Sequence, residues 1–245
     1  MKILQNEDLS LENKIRWISL HDQSLVDAVR MTPCYAVKQI LACKKSIETS
    51  SDILKVLDVG VGFGRNIKFL MENGFCDEAY GVDQTVSSIN RASELLSNYI
   101  SEKRCFLSVG DAGNGLQYED NTFDCVFDIM SAITFIPGKN ERKLYWRNVK
   151  RVLKPGGTFM FLTVRAEAMD LIADKMDNTK ELNHGLFRRK MDGMIEKAYT
   201  KEELIDLADG MEAVKLIVTS EHTRAFGDEY FNRTDGFWFC IFRKK

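Results

Sequence analysis

Apolar residues recur at helical spacing through the first fifty positions: Ile15, Ile18, Leu25, Val26 and Val29, then Val37, Ile40, Leu41 and Ile47. This spacing predicts helices broken at Pro33. The polar run "ETSSD" (48–52) marks a joint. Beyond it, short apolar runs alternate with amphipathic stretches. "KVLDVG" predicts a first strand, Arg65–Glu72 a helix closed by Asn73-Gly74, and "EAYGVD" a second strand. A helix with Ile89, Ala92, Leu96 and Tyr99 on one face leads to a third strand, "CFLSVGD". "FDCVFDIMSAI" predicts a fourth with a nearly continuous apolar core. A helix over 141–153 stops at Pro155-Gly156-Gly157, and "TFMFLTV" is the fifth strand. "AVKLIVTS" and "GFWFCIFRK" are two more strands, joined without a helix and therefore antiparallel. Thr200 and Glu203 in "YTKEELIDLA" predict a capping box. Residues 165–198 are polar, rich in methionine and charge, and longer than a connection requires.

Strands alternating with helices imply crossover connections and an α/β fold with a mainly parallel sheet covered on both faces. One domain over 51–245 is expected, with residues 1–50 as an N-terminal helical cap and 165–198 as a lid-like insertion.

The 245 residues, 44% hydrophobic and 29% charged, describe an ordinary globular chain. A formal net charge of −2 provides no basic field for a nucleic-acid backbone or an anionic membrane, so neither partner is expected. "MKILQNEDLSLENK" turns polar after four residues, unlike a signal peptide. Apolar runs are too short to span a bilayer. Six cysteines lie without CxxC pairs or a histidine at zinc spacing. The expectation is reduced thiols, a cytoplasmic location and no metal.

Chemistry concentrates in "VLDVGVGFGRN". Gly60, Gly62 and Gly64 are spaced G-x-G-x-G, and Arg65 stands where a dinucleotide fingerprint needs its last glycine. A Walker loop would need Gly-Lys-Ser/Thr, which is absent. Asp58, two residues ahead of the first glycine, would repel a pyrophosphate and attract an ammonium. The ligand expected is a phosphate-free nucleoside with a cationic portion, a description that S-adenosylmethionine meets. Asp83 ends the second strand, 21 residues beyond Gly62, placed to bind ribose hydroxyls. Asp111 ends the third, in reach of an adenine amino group, with the Ala112 amide beside it. Each acid alone could equally cap a helix. Three at successive strand ends beside a glycine loop point to a ligand, because open parallel sheets bind at their carboxyl ends.

From about 54 to 164 the chain resembles the class I S-adenosylmethionine-dependent methyltransferases. "LDVGVGFG" is similar to their D-x-G-x-G-x-G loop, "GVDQT" (Asp83, Gln84) to their ribose segment, and "GDA" (Asp111, Ala112) to their adenine turn. "FDCVFDIMSAI", with Met130, resembles their active-site strand, and "RNVKRVLKPGGTFMFLTV" the helix–turn–strand that follows. The resemblance implies a Rossmann-like seven-stranded sheet of order 3-2-1-4-5-7-6 with strand 7 antiparallel. It also implies S-adenosylmethionine as methyl donor and S-adenosylhomocysteine as product.

The acceptor is narrowed by departures. Amino-group methylation of adenine or glutamine calls for N/D-P-P-Y/F after strand four, where this chain has Met130-Ser131-Ala132-Ile133. A cytosine carbon would need a cysteine nucleophile, and Cys125 lies inside the strand. A small-molecule acceptor is expected, oxygen ahead of nitrogen. Base candidates are His21, His184 and His222. Arg165, Arg188, Arg189 and Arg224 could meet an anionic substrate, and Trp17, Tyr35, Phe187, Tyr230 and Phe231 could shape a pocket. A structural role for each stays open. Other readings are a non-catalytic binder of the same donor, an aminopropyl transferase and a nicotinamide-dependent oxidoreductase, the last opposed by Asp58.

Overall fold

The computed structural model describes residues 6–22, 33–44, 53–177, 182, 184–190, 192–224 and 230–245; side chains at 6–8, 21–22, 171–172, 174–175, 221–224 and 230–234 lie outside that description. Strands β1 (Lys55–Val59), β2 (Glu78–Asp83), β3 (Cys105–Val109), β4 (Phe123–Ile129) and β5 (Leu153–Arg165) form a parallel array of order β3-β2-β1-β4-β5. Two short strands follow, β6 (Leu186–Arg188) and β7 (Ile195–Tyr199), and then a long hairpin, β8 (Met211–Arg224) and β9 (Tyr230–Lys244). β9 runs antiparallel along β5 from Thr158 to Val164 and carries β8 on its outer side. The expected 3-2-1-4-5-7-6 order is therefore realised as β3-β2-β1-β4-β5-β9-β8.

Helices α1 (Asn6–Asp22) and α2 (Tyr35–Ala42) precede the sheet. α3 (Arg65–Glu72), α4 (Val86–Leu95) and α5 (Ser97–Ser101) connect the first three strands. α6 (Ala132–Phe135) and α7 (Lys139–Val152) follow β4, and α8 (Lys201–Leu207) follows β7. Because both sheet faces are covered, successive strand residues enter opposite cores. Val56, Phe127 and Leu162 pack with Ile40, Ile67 and Leu70 on one side. Leu57, Val126 and Phe161 pack with Tyr145, Trp146 and Leu204 on the other. There Trp146 meets Phe159, Phe161 and Phe242 edge-on at 5.2, 5.5 and 5.7 Å, a geometry that ring quadrupoles favour. The Thr200–Glu203 capping box forms as expected at the start of α8.

Three differences from the sequence pattern bear on function. The segment 165–198 holds a hairpin, with β6 antiparallel to β7 and β7 pairing with β5 at Val164 and Arg165. The helix expected over 89–99 breaks at Leu96 into α4 and α5. In α1 the apolar positions Leu11, Ile15 and Ile18 are exposed, whereas Leu9 and Asn13 are buried. Of the remaining cap positions, Leu25, Val26, Val29 and Ile47 lie outside the described residues.

Asn13 explains how a polar face can point inward. Its Nδ2 donates to the carbonyls of Phe135 (2.9 Å) and Ile195 (2.7 Å), and its Oδ1 accepts from the Ile195 amide (2.8 Å). One side chain thus joins α1, α6 and β7. Replacing Asn13→Ala leaves three buried backbone groups unsatisfied. The expected loss is at least the about 1–3 kcal/mol that one such group costs, read as a lower urea midpoint together with faster hydrogen exchange at the Ile195 amide.

Candidate active site

The carboxyl ends of β1 to β4 meet around a cavity of about 240 Å³, near the lower end of small-molecule pockets at roughly 300 Å³. Its floor is the turn after β1. The amides of Gly60 and Val61 both donate to Val82 O, at 2.8 and 3.0 Å, and Gly62 N donates to Asp83 Oδ2 at 3.1 Å. Gly60, Gly62 and Gly64 all take left-handed φ (76°, 53° and 83°). Their neighbours differ. A Cβ on Gly60 would fall 1.5 Å from Ser131 Oγ, and one on Gly64 would fall 2.8 Å from Leu96 Cδ1. One on Gly62 would meet nothing within 4 Å. Gly60 thus lets the β1 and β4 turns interlock, Gly64 seats α3 against α4, and Gly62 presents bare backbone to the cavity.

The expected acids occupy different layers. Asp83 lies on the wall, its Oδ1 accepting from the amide (2.9 Å) and hydroxyl (2.8 Å) of Thr85. Asp111 is also on the wall. Its Oδ1 caps the following 3-10 turn through Gly113 N (3.0 Å), and its Oδ2 accepts from Lys14 of α1 (3.2 Å) and Asn114 (3.1 Å). The capping and ligand-facing readings of Asp111 therefore coincide. Asp58 stands behind the wall, fully buried, its Oδ2 without a hydrogen-bond partner among the described residues. Burial, then the nearby charges of Asp128 and Asp83, push its carboxyl well above the usual carboxylate range. Gln84, Ala112 and Met130 also line the cavity; Gly64 does not.

The sequence reading missed Asp128, at the end of β4. It is fully buried and accepts from Ser131 N (2.9 Å), Ile133 N (2.6 Å) and Tyr145 Oη (2.7 Å). These bonds shape a turn in which Met130 takes φ 55°, a conformation that costs a non-glycine residue about 1–3 kcal/mol. Burial pushes the Asp128 carboxyl up to about 7 despite three donors.

Among the described residues, no base candidate lines the cavity. His184 sits exposed in a turn at φ 62°, and Arg165 donates to Asp235 O (2.9 Å) beneath the Trp238 ring; neither lines the cavity. The side chains of His21, His222 and Arg224 lie outside the described residues, as do those of Tyr230 and Phe231. Arg188 is taken by Glu12 (2.7 and 2.9 Å) and Gly193 O, and Arg189 by Asp192 and Glu196. Arg188 and Arg189 already have carboxylate partners, so these two no longer favour an anionic substrate. Of the aromatic candidates, Trp17 is on the wall and meets Phe135 edge-on at 4.9 Å, while Phe187 packs in the core. Burial pushes the Cys125 thiol up to about 12, which leaves it protonated and a poor nucleophile at neutral pH. Among the described residues no group of three or more His, Cys, Asp or Glu is arranged to hold a metal.

Residues 57–161 match the family model described as "Methyltransferase domain". A sterol 4-C-methyltransferase of Caenorhabditis elegans is 25% identical over 162 residues, 66% of this chain and 44% of the relative. An erythromycin 3''-O-methyltransferase of Saccharopolyspora erythraea is 34% identical over 103 residues, 42% of this chain and 32% of the relative. The chain thus spans less than half the length of these curated relatives. Among solved structures, a SAM-dependent methyltransferase from Anabaena variabilis is similar with a TM-score of 0.67 and 13% identity, covering 95% of each chain. Another from Methanosarcina mazei has a TM-score of 0.63 and 23% identity over 82% of this chain and 95% of its own. At such identities these structural likenesses speak for the fold.

Two outcomes follow from the turns. Gly60→Ala, blocked by Ser131, should lower stability by more than Gly62→Ala, which meets only φ strain of about 1–2 kcal/mol; urea melts of both variants check the order. Asp128 binds its proton more tightly folded than unfolded, so its contribution is complete at pH values below about 4 and is lost as pH rises to about 7. Relative to Asp128→Asn, wild-type stability should fall across that window by up to about 1.4 kcal/mol per pH unit and then level off, as urea midpoints at successive pH values would record.

Proposed function

We propose that the chain is a class I S-adenosylmethionine-dependent methyltransferase, a reading supported by the match of residues 57–161 to the methyltransferase-domain model, and that it methylates a small molecule, at an oxygen. The observation that carries this reading is one continuous cavity with two kinds of wall. Gly62, Asp83, Gln84, Asp111 and Ala112 line one part, and Trp17, Phe135, Arg189 and Glu196 line another.

The residues present fit the donor. A buried acid whose Oδ2 lacks a hydrogen-bond partner among the described residues, Asp58, is stabilised by a cationic group bound at the loop above it. The bare Gly62 backbone leaves room for a ligand at the strand end. In this reading Asp83 and Gln84 hold the sugar, Asp111 and Ala112 meet the base, and Met130 flanks the reacting end. When bound, the donor supplies an already activated methyl group. What remains for the chain is alignment, for which orientation effects reach roughly 7–11 kcal/mol, and removal of a hydroxyl proton where the acceptor carries one.

A small acceptor is supported by α1 lining the cavity with Asn13, Lys14 and Trp17, and by the net charge of −2. Oxygen is supported by Met130-Ser131-Ala132-Ile133 after β4 and by the name of the Saccharopolyspora relative. We read residues 1–50 as a cap on the 51–245 domain and 165–198 as a lid-like insertion within it. A cytoplasmic location belongs to the same reading. Cys43, Cys76, Cys105, Cys125 and Cys240 form no disulfides, and among the described residues no helix is long and apolar enough to cross a membrane.

Calorimetric titration with S-adenosylhomocysteine should give saturable binding to the wild type. Asp83→Asn should weaken it by about tenfold or more, the loss of a charge-assisted bond of roughly 1.5–3 kcal/mol. No binding to the wild type would sink the assignment.

A further inference from the structure

Helices α7 and α8 lie side by side over one face of the sheet and point the same way. α7 leads into β5 and α8 into β8, and those two strands are parallel because β9 pairs antiparallel with each. Tyr145, Trp146 and Val149 of α7 share a core with Leu204 of α8. Near their C-terminal ends the helices are tied, Lys150 Nζ donating to Asp209 O at 2.8 Å.

That tie fixes the height of one helix against the other. Arg147 and Lys143 stand three and seven residues before Lys150, and Asp206 and Glu202 stand three and seven before Asp209. With the same rise of about 1.5 Å per residue in both helices, Arg147 is level with Asp206 and Lys143 with Glu202. All four are exposed. Nearby charges pair elsewhere, Arg151 with Asp120 and Glu203 with Lys197, and these four form no ion pair among the described residues. α7 therefore offers a basic row, extended by exposed Lys139, and α8 an acidic row beside it.

A partner of a single charge, such as a nucleic acid, would be attracted by one row and repelled by the other. A second copy of the chain offers both rows at the matching height. Turned over about a two-fold axis along the groove between the helices, it sets its α7 on α8 and its α8 on α7. Lys143 then meets Glu202 and Arg147 meets Asp206, each twice by symmetry. Ile205, 47% exposed beside Asp206, adds apolar area to the same face.

We propose that this face joins two copies of the chain into a weak, salt-sensitive dimer. Exposed ion pairs contribute little singly, and a face two helices wide is at the small end of specific interfaces, so the association depends on the rows acting together.

Sedimentation equilibrium of the full chain tests it. At about 100 µM protein in low salt, the mass should approach twice the 28.1 kDa of one chain. Raising the salt from about 0.01 to about 1 M shortens the screening length from about 30 to about 3 Å and should weaken association at least about tenfold. Lys143→Glu with Arg147→Glu should give a monomer, as should Glu202→Lys with Asp206→Lys, each with the near-ultraviolet circular dichroism of the wild type. All four substitutions in one chain, or an equal mixture of the two double variants, should restore the dimer. A wild type that stays monomeric in low salt, a double variant that still dimerises, or no recovery in both the fourfold variant and the mixture overturns the proposal.

Discussion

The amides of Gly60 and Val61 share a single acceptor, Val82 O, and the next free amide, that of Gly62, goes to the Asp83 carboxylate. This fastening ties the turn after β1 to the end of β2. Its consecutive N–H groups alternate left-handed Gly60 and Gly62 with Val61, and glycine adopts the left-handed conformation without a Cβ penalty. Once the turn is tied, the rest of the site has little freedom. Ser131 must pack against Gly60, so the β4 turn is placed by the β1 turn. Asp83 is oriented by Gly62 on one side and Thr85 on the other.

Charge is organised around the same point. Asp58, Asp83 and Asp128 lie near enough for their charges to be felt at Asp58. Burying acids this way is unfavourable unless something compensates. For Asp128 the compensation is internal, from two amides and the Tyr145 hydroxyl. Asp58 has less of it, Arg65 being the one opposing charge among its main influences. A scaffold that satisfies one buried acid and leaves the other short is suited to a positively charged ligand.

The N-terminal helix acts through polar contacts. Lys14 reaches Asp111 on the base-side wall, Asn13 holds the hairpin strand β7 and Phe135, and Trp17 packs on Phe135. A single helix therefore touches both parts of the cavity. Contacts of this kind depend on geometry, because a buried amide stabilises only where matching backbone groups await it.

Strand and helix positions in the central domain were legible from residue order, because periodicity and punctuation are local properties. Helix α3 begins and ends where Arg65 and Asn73-Gly74 predict it. The strand-end acids and the glycine run were legible too, since a parallel sheet brings the carboxyl ends of its central strands together. Which glycine packs and which faces the cavity was not legible, for Gly60, Gly62 and Gly64 look alike until Ser131 arrives from 71 positions away and Leu96 from 32. Nor was the inward face of α1, where Ile15 and Ile18 advertised the wrong side and Asn13 had no visible partner. The pairing of Arg189 with Glu196 likewise depends on a hairpin register. Sequence alone determined the elements and the ends where chemistry could gather. Tertiary structure decided which groups face one another there, because burial and partner geometry are set by segments distant in the chain.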